Sequence, residues 1–101
     1  METTVYYLVL LIRGPHWTPD ETLEVNQLQE EHQGFIRALG ASGELVLAGP
    51  FLDDTAMRGV YLLKAASLED ARRLANLDPS VRAGRLMAET HPWMVPQGVL
   101  P

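Results

Sequence analysis

Two side chains that could exchange protons stand out in the sequence, the imidazole of His32 and the carboxylate of Asp78. His32 lies in a segment whose apolar residues recur at helical spacing, and it shares the apolar side with Leu28 and Phe35. Histidine titrates near neutrality, so it can both accept and donate a proton, and a carboxylate bonded to its far ring nitrogen would fix its tautomer. The two residues are therefore candidates for a general acid–base pair.

Each member of this pair also has a purely structural interpretation. His32 could be a core histidine satisfied by a backbone carbonyl, and Asp78 could serve only as a turn or cap residue before Pro79. Burying an imidazole without a partner costs roughly 1–3 kcal/mol, so something must satisfy His32 or use it. We therefore expect a carboxylate beside His32, with Asp78 as the best candidate.

Other residues could help to bind a substrate. Arg13 could anchor a substrate carboxylate at the end of the first predicted strand, although a surface arginine is the alternative. Gly49-Pro50 has neither the glycine-rich run nor the lysine of a phosphate loop, and we expect it to end a strand and to let another backbone approach closely. Aromatic residues suit either pocket walls or core and interface packing: Tyr6, Trp17, Phe35, Tyr61 and Trp93.

The composition argues against several kinds of site. The chain has no cysteine, which excludes disulfides and cysteine-ligated metals. His16, His32 and His91 lack any short ligand spacing, and no glycine-rich nucleotide loop is found, so we expect neither a metal nor an organic cofactor. A net charge of −5 argues against nucleic acid as a partner.

The apolar run over residues 5–12 is far shorter than the roughly 20 residues that a membrane-spanning helix needs, so no membrane partner is expected. It also lacks the basic start and the small-residue cleavage site of a secretory signal. The expected location is therefore the cytoplasm.

The elements that must position the candidate residues alternate between strand and helix patterns. Strands are predicted over residues 5–12, 45–48, 57–64 and 86–93. Helix 1 is predicted to begin with Thr18 as its cap and to run to about residue 41. Helix 2 is predicted to begin at the cap Ser67 and to end at Asp78-Pro79, with one more helical turn over residues 81–84. Residues 96–101 are predicted to form an irregular tail.

This order of elements predicts a single α+β domain over residues 1–101. It is the ferredoxin-like βαββαβ arrangement, a four-stranded antiparallel sheet with two helices on one face. The first strand is apolar at every position from 5 to 12, so both of its faces need cover. We expect a homodimer packed sheet to sheet, although a two-sided apolar strand can also lie at the centre of one sheet.

The order and spacing of several short motifs resemble the YciI-like family of the dimeric α+β barrel superfamily, over nearly the whole chain. The resemblance rests on His32, Ser42-Gly43-Glu44-Leu45, Ala48-Gly49-Pro50-Phe51, Gly59, residues 67–71 and residues 78–84. It implies a ferredoxin-like dimer with a His–Asp active site in a cleft beside the sheet. Some members of the family are lyases that eliminate halide from hydroxylated aromatics, and most have no assigned reaction.

Two functions remain open at this point. The first is a small cofactor-free enzyme of the lyase or isomerase type, acting on a small aromatic or carboxylated metabolite. In it, His32 and Asp78 are catalytic, and Arg13 and the residues 49–51 (Gly49, Pro50 and Phe51) are substrate-binding. The second is a non-catalytic dimeric binding or structural module. A contact between His32 and Asp78 in an open cleft favours the enzyme, whereas a sealed His32 bonded only to backbone favours the module.

Overall fold

The computed structural model describes residues 2–100. Its elements follow one another as β1 (Thr3–Arg13), α1 (Leu23–Ser42), β2 (Leu45–Pro50), β3 (Met57–Leu63), α2 (Leu68–Ala75), α3 (Pro79–Arg82) and β4 (Leu86–Pro96). Within these residues the strands form a four-stranded antiparallel sheet in the order β2-β3-β1-β4. This is the βαββαβ arrangement of the ferredoxin-like fold, so the predicted α+β class is confirmed.

The alternation of side chains along β1 gives the sheet a covered face and an open face. Tyr7, Val9 and Leu11 point towards the helices and are buried. Tyr61 and Leu63 of β3 lie beside them, since Val9 pairs with Tyr61 and Tyr7 with Leu63. Buried residues of α2 complete this side of the core: Ala71, Leu74 and Ala75.

Helix α1 begins later than the sequence pattern predicted. Thr22, and not Thr18, is its cap, and the Thr22 hydroxyl accepts a hydrogen bond from the Val25 amide at 3.1 Å. The Thr18 hydroxyl instead accepts from the Asp20 amide at 3.2 Å. The preceding segment is hydrogen-bonded to the residues before β4, since the His16 amide donates to the Gly84 carbonyl. Neither α1 nor any other helix of residues 2–100 is long and apolar enough to cross a membrane.

Strand β2 is also longer than predicted, because it continues through Gly49 and Pro50, which pair with Val60 and Gly59. A proline is tolerated there since β2 lies at the edge of the sheet, where a missing amide loses no ladder bond. The close approach of two backbones is real but depends on Gly59. A Cβ atom on Gly59 would lie 2.9 Å from the Gly49 carbonyl oxygen, whereas one on Gly49 would meet nothing within 4 Å.

Both edges of the sheet carry prolines. The strand order places β2 at one edge and β4 at the other. Pro50 is the last residue of β2, and β4 contains Pro92 and ends at Pro96. Proline has no amide hydrogen, so these positions cannot donate a ladder hydrogen bond to a further strand.

Candidate active site

His32 and Asp78 are in direct contact. The Nδ1 atom of His32 lies 2.7 Å from Oδ2 of Asp78. The Asp78 side chain is fully buried, and that of His32 is 11% exposed. Helix α1 carries the imidazole, and the junction between α2 and α3 carries the carboxylate. The structure therefore brings together the two residues whose types suggested acid–base chemistry, 46 positions apart in the chain.

The second oxygen of Asp78 shows why the carboxylate is held in this place. Asp78 caps α3, and its Oδ1 accepts a hydrogen bond from the Ser80 amide at 2.9 Å. Pro79 takes the first helical position, where its missing amide hydrogen is not needed. Both oxygens of the buried carboxylate thus have a partner, as a buried charge requires. Asp78 is at once a helix cap and the partner of His32.

His32 lines a cleft of about 910 Å³ between α1, the covered face of the sheet and the segment that follows β1. This volume lies within the usual range of small-molecule sites. Because Nδ1 is occupied by Asp78, Nε2 is the ring nitrogen left for a ligand. When Nδ1 carries the proton and donates it to Asp78, Nε2 has the free lone pair of a base.

Tyr61 of β3 lines the same cleft, and its hydroxyl is buried without a hydrogen-bond partner among residues 2–100. Burial, and secondarily the negative charge of Asp78, raises the pKa of Tyr61 well above its ordinary value of 10.0. The hydroxyl therefore keeps its proton at neutral pH. A buried donor without a partner costs free energy, so a ligand oxygen that accepts from Tyr61 would relieve that cost.

A cluster of three arginines lies elsewhere along the cleft, gathered around the Trp17 ring. The guanidinium carbons of Arg13, Arg58 and Arg85 lie 5.2, 5.0 and 4.1 Å from the ring centroid. These distances are within the range of cation–π attraction. Asp54 accepts from Arg13 at 2.8 Å and from Arg58 at 3.4 Å. The cleft thus has a histidine–tyrosine region and a strongly basic region.

The other predicted site residues divide between the cleft and its surroundings. Arg13, Gly49 and Pro50 line the cleft, as does Trp17. Phe51 does not belong to its lining and is 37% exposed. It follows the edge strand β2, and its amide donates to the Arg58 carbonyl at 3.0 Å.

The three histidines lie apart from one another, on a loop, a helix and a strand. His91 is on β4, where its Nε2 lies 2.7 Å from Oε1 of Glu89. His16 packs against Gly84, since a Cβ atom on Gly84 would lie 2.5 Å from the His16 ring. Across residues 2–100 no group of three His, Asp or Glu side chains could hold a metal ion.

Sequence reasoning missed Arg58 and Arg85. Arg58 is the extra residue of a β-bulge, since Leu11 pairs with Gly59 but Ile12 pairs with Met57. A bulge re-aims the side chain that it carries, and here the guanidinium reaches Trp17. A single sequence carries no signal that shows which residue of two antiparallel strands is left without a partner on the other strand. Arg85 had a weak signal, because it follows Gly84 directly before the last strand.

Comparison with known proteins places these features in a family. The model of the YCII-related domain matches residues 7–91. The uncharacterized protein YjpA of Bacillus subtilis strain 168 is 32% identical over 76 residues, which cover 71% of this chain and 87% of that protein.

A solved structure has the same fold. It is 5-chloro-2-hydroxyhydroquinone dehydrochlorinase (TftG) from Burkholderia phenoliruptrix AC1100, in complex with 2,5-dihydroxybenzoquinone. The TM-score is 0.63 with 21% sequence identity, and the match covers 87% of this chain and 92% of that chain. The family model and the 32% identical relative both span most of the chain, and the chain therefore belongs to the YCII-related family.

Proposed function

We propose that this protein is a cofactor-free acid–base enzyme in which His32 moves the proton and Asp78 orients it. The observation that carries the proposal is the 2.7 Å contact between His32 Nδ1, at the edge of an open cleft, and the fully buried Asp78 carboxylate. Asp78 holds the ring in one orientation and stabilises the imidazolium that forms when Nε2 takes a proton. Nε2 then faces whatever small molecule occupies the cleft.

The reaction class that suits such a site is an elimination or an isomerisation. Nε2 would remove a proton from the substrate, and the released electron pair would form a new double bond. In an elimination the leaving group departs with the electrons of its own bond; in an isomerisation the imidazolium returns the proton to a different atom. The fold accommodates such chemistry, since the similarly folded TftG is a dehydrochlorinase. We therefore propose a lyase-type or isomerase-type activity on a small aromatic or carboxylated metabolite.

A proton-exchange assay tests this proposal without knowledge of the natural substrate. A panel of hydroxylated, chlorinated and carboxylated single-ring compounds is incubated with the protein in D2O and followed by NMR for deuterium uptake or loss of the leaving group. We expect the wild type to act on some members and His32→Gln to be inactive but folded. His91→Gln is the matched control, because His91 also contacts a carboxylate but lies outside the cleft. Activity that survives in His32→Gln would overturn the proposal.

The alternative is a non-catalytic binding or structural module, and one observation favours it. Asp78 already caps α3, and His32 is nearly buried. The role of the pair could therefore be purely structural, in that it holds α1 against the α2–α3 junction. In that case panel compounds would bind in the cleft without any deuterium uptake or elimination. The same NMR experiment therefore separates the two functions.

We also propose that two copies of the chain associate through the open face of the sheet. This face carries apolar side chains of three strands, and those of Met57, Met87 and Trp93 are about half exposed. Residues of β1 that point the same way, such as Leu8 and Leu10, are only partly covered in the single chain. Helices cover the other face alone, so a second copy would remove this apolar surface from water.

A further inference from the structure

We propose that Arg13, Arg58 and Arg85 form an anion subsite for the carboxylate of a single-ring aromatic substrate, and that Asp54 occupies this subsite until the substrate displaces it. The substrate class rests on the proposed function, in that the ring must reach His32. The subsite itself is a binding site, and its existence does not depend on whether His32 transfers a proton.

The positive charge of the cluster is only partly neutralised. Three guanidinium groups surround Trp17, but one carboxylate, that of Asp54, is in contact with them within residues 2–100. Arg85 has the Thr18 carbonyl as its partner, at 2.8 Å. Burial, and to a lesser extent the like charge of Arg58, lowers the pKa of Arg85. Such a concentration of cations in a cleft attracts an anion.

The cations and the anions of the cleft are exposed to different degrees. The side chains of Arg13 and Arg58 are 35% and 25% exposed, whereas that of Asp54 is 90% exposed. Asp20 and Glu21 also line the cleft but are exposed and make no ion pair with the arginines in residues 2–100. The arginines therefore form the wall, and the acids lie at the rim.

The hydrogen-bonding capacity of the cluster is also only partly used. The Nε atoms of Arg13 and Arg58 are buried and have no partner within the described chain. Asp54 contacts both arginines through one oxygen, Oδ1, and through one terminal nitrogen of each. A planar carboxylate can use two oxygens against the fork of a guanidinium, which is the stronger arrangement. Asp54 is thus a weak occupant of a site that a ligand carboxylate would fill better.

The spacing of residues along β3 sets the size of the ligand. Arg58 and Tyr61 are three residues apart, which is about 10 Å along a strand. Between them the cleft floor is formed by Gly59, which has no side chain, and by the apolar Leu11 beside it. One aromatic ring with a carboxylate at one end and a hydroxyl at the other spans this length together with its hydrogen bonds. Its hydroxyl end would meet Tyr61 and His32.

Trp17 provides a direct measurement of binding at this subsite. The chain has two tryptophans, so a Trp93→Phe background leaves Trp17 as the fluorescent reporter. In this background we would titrate 4-hydroxybenzoate, benzoate, phenol and inorganic phosphate, and confirm each affinity by calorimetry. We expect the two carboxylates to bind and to change Trp17 emission, and phenol to bind at least tenfold more weakly.

The variants test the two halves of the proposal. Arg58→Gln should weaken 4-hydroxybenzoate binding about tenfold or more, since it removes a charged partner. Asp54→Asn should strengthen binding several-fold, because it removes the competing carboxylate while keeping the size of the side chain. Arg37→Gln, on the exposed side of α1 and outside the cleft, is the matched control and should change nothing.

Each contrary outcome overturns the proposal. Unchanged binding in Arg58→Gln would show that the arginines do not bind the ligand carboxylate. Unchanged or weaker binding in Asp54→Asn would show that Asp54 does not compete with the ligand. Binding of inorganic phosphate in preference to both carboxylates would contradict the substrate class. His32→Gln keeps failure of the subsite distinct from failure of the proposed enzyme, since it should bind 4-hydroxybenzoate while losing any turnover.

Discussion

Asp78 uses both of its oxygens inside the protein, one for the Ser80 amide and one for His32. This double use changes what a substitution at His32 should do. From the sequence, leucine could pack well on the apolar side of the helix that carries His32. In the folded chain that leucine would leave one oxygen of the fully buried Asp78 carboxylate, Oδ2, without a partner.

We therefore predict that His32→Leu lowers the free energy of unfolding by about 3–5 kcal/mol, as expected when a buried carboxylate loses a side-chain partner. Adding Asp78→Asn should recover part of this loss, because asparagine is neutral and can still accept from the Ser80 amide. Urea unfolding of the two single variants and the double variant measures the coupling. A His32→Leu protein as stable as the wild type would show that the contact contributes nothing to stability.

A second prediction concerns Tyr61 and alkaline pH. Because the pKa of Tyr61 is raised in the folded state, its neutral hydroxyl favours the fold below pH 10.0. This contribution is lost as the pH rises above that value, by about 1.4 kcal/mol per pH unit at most. Tyr61→Phe should therefore lose less stability than the wild type when the pH rises from 9 to 11. These two pH values lie about one unit below and above the ordinary tyrosine pKa of 10.0.

Melting temperatures measured across that pH range test this prediction. Tyr6→Phe is the control, because Tyr6 lies on β1 next to the buried Tyr7 and so points to the opposite face of the sheet. Parallel losses in the wild type and Tyr61→Phe would contradict the role given to burial of the Tyr61 hydroxyl.

Sequence reasoning reached His32 and Asp78 because each carries a local signal, one in a helical pattern and the other before a proline. It did not reach the arginine cluster as a whole. Arg13 was a candidate on its own, but Arg58 joins it through a β-bulge that exists only once β1 and β3 pair. Contacts made by the pairing of distant strands have no counterpart in local spacing.

At the scale of elements, either of two threonines, Thr18 or Thr22, could cap the start of α1. Thr18 is followed by Pro19 and two acids, a strong local signal, yet Thr22 is the cap. The outcome depends on tertiary contacts of the preceding segment, including the hydrogen bond from the His16 amide to the Gly84 carbonyl and that from Arg85 to the Thr18 carbonyl. Local propensity was outweighed by contacts with the α3–β4 connection.

This difference is directly measurable with a matched pair of variants. Thr22→Ala should lower the free energy of unfolding by about 1 kcal/mol, since it removes the side-chain cap of the Val25 amide. Thr18→Ala should change it by less than about 0.5 kcal/mol, because the Thr18 hydroxyl accepts only from the Asp20 amide and caps no helix. Thermal or urea unfolding distinguishes them. A larger effect at Thr18 than at Thr22 would mean that the helix begins earlier in solution.

At the scale of the molecule, the order of strands and helices followed from the alternation of hydrophobic periods, and the fold was therefore predictable. The lengths of the strands were not. Strands β1, β2 and β4 all extend beyond the predicted ranges, because pairing across the sheet recruits residues such as Gly49, Pro50 and Thr3 that have low strand propensity or lie near a terminus.

The proposed dimer is a prediction at the same scale. Light scattering at micromolar concentration should report twice the chain mass of 11.2 kDa. Trp93→Glu should shift the population towards the single chain, because it introduces a charge into the apolar open face where Trp93 is half exposed. Glu69→Gln, on the exposed part of α2, is the control. A wild-type protein that is monomeric under these conditions would contradict the prediction.

The prolines at the two sheet edges bear on how association ends. Growth by adding strands at an edge is open-ended, since every added strand presents a new edge, and it is the route to fibrils. Pro50 on β2 and Pro92 on β4 interrupt the row of amide donors that such growth requires. Association through the open apolar face, in contrast, stops at two chains, because each face is then covered by the other. Concentrated protein should accordingly accumulate as discrete closed particles and not as polymers, in spite of the apolar surface that each chain displays.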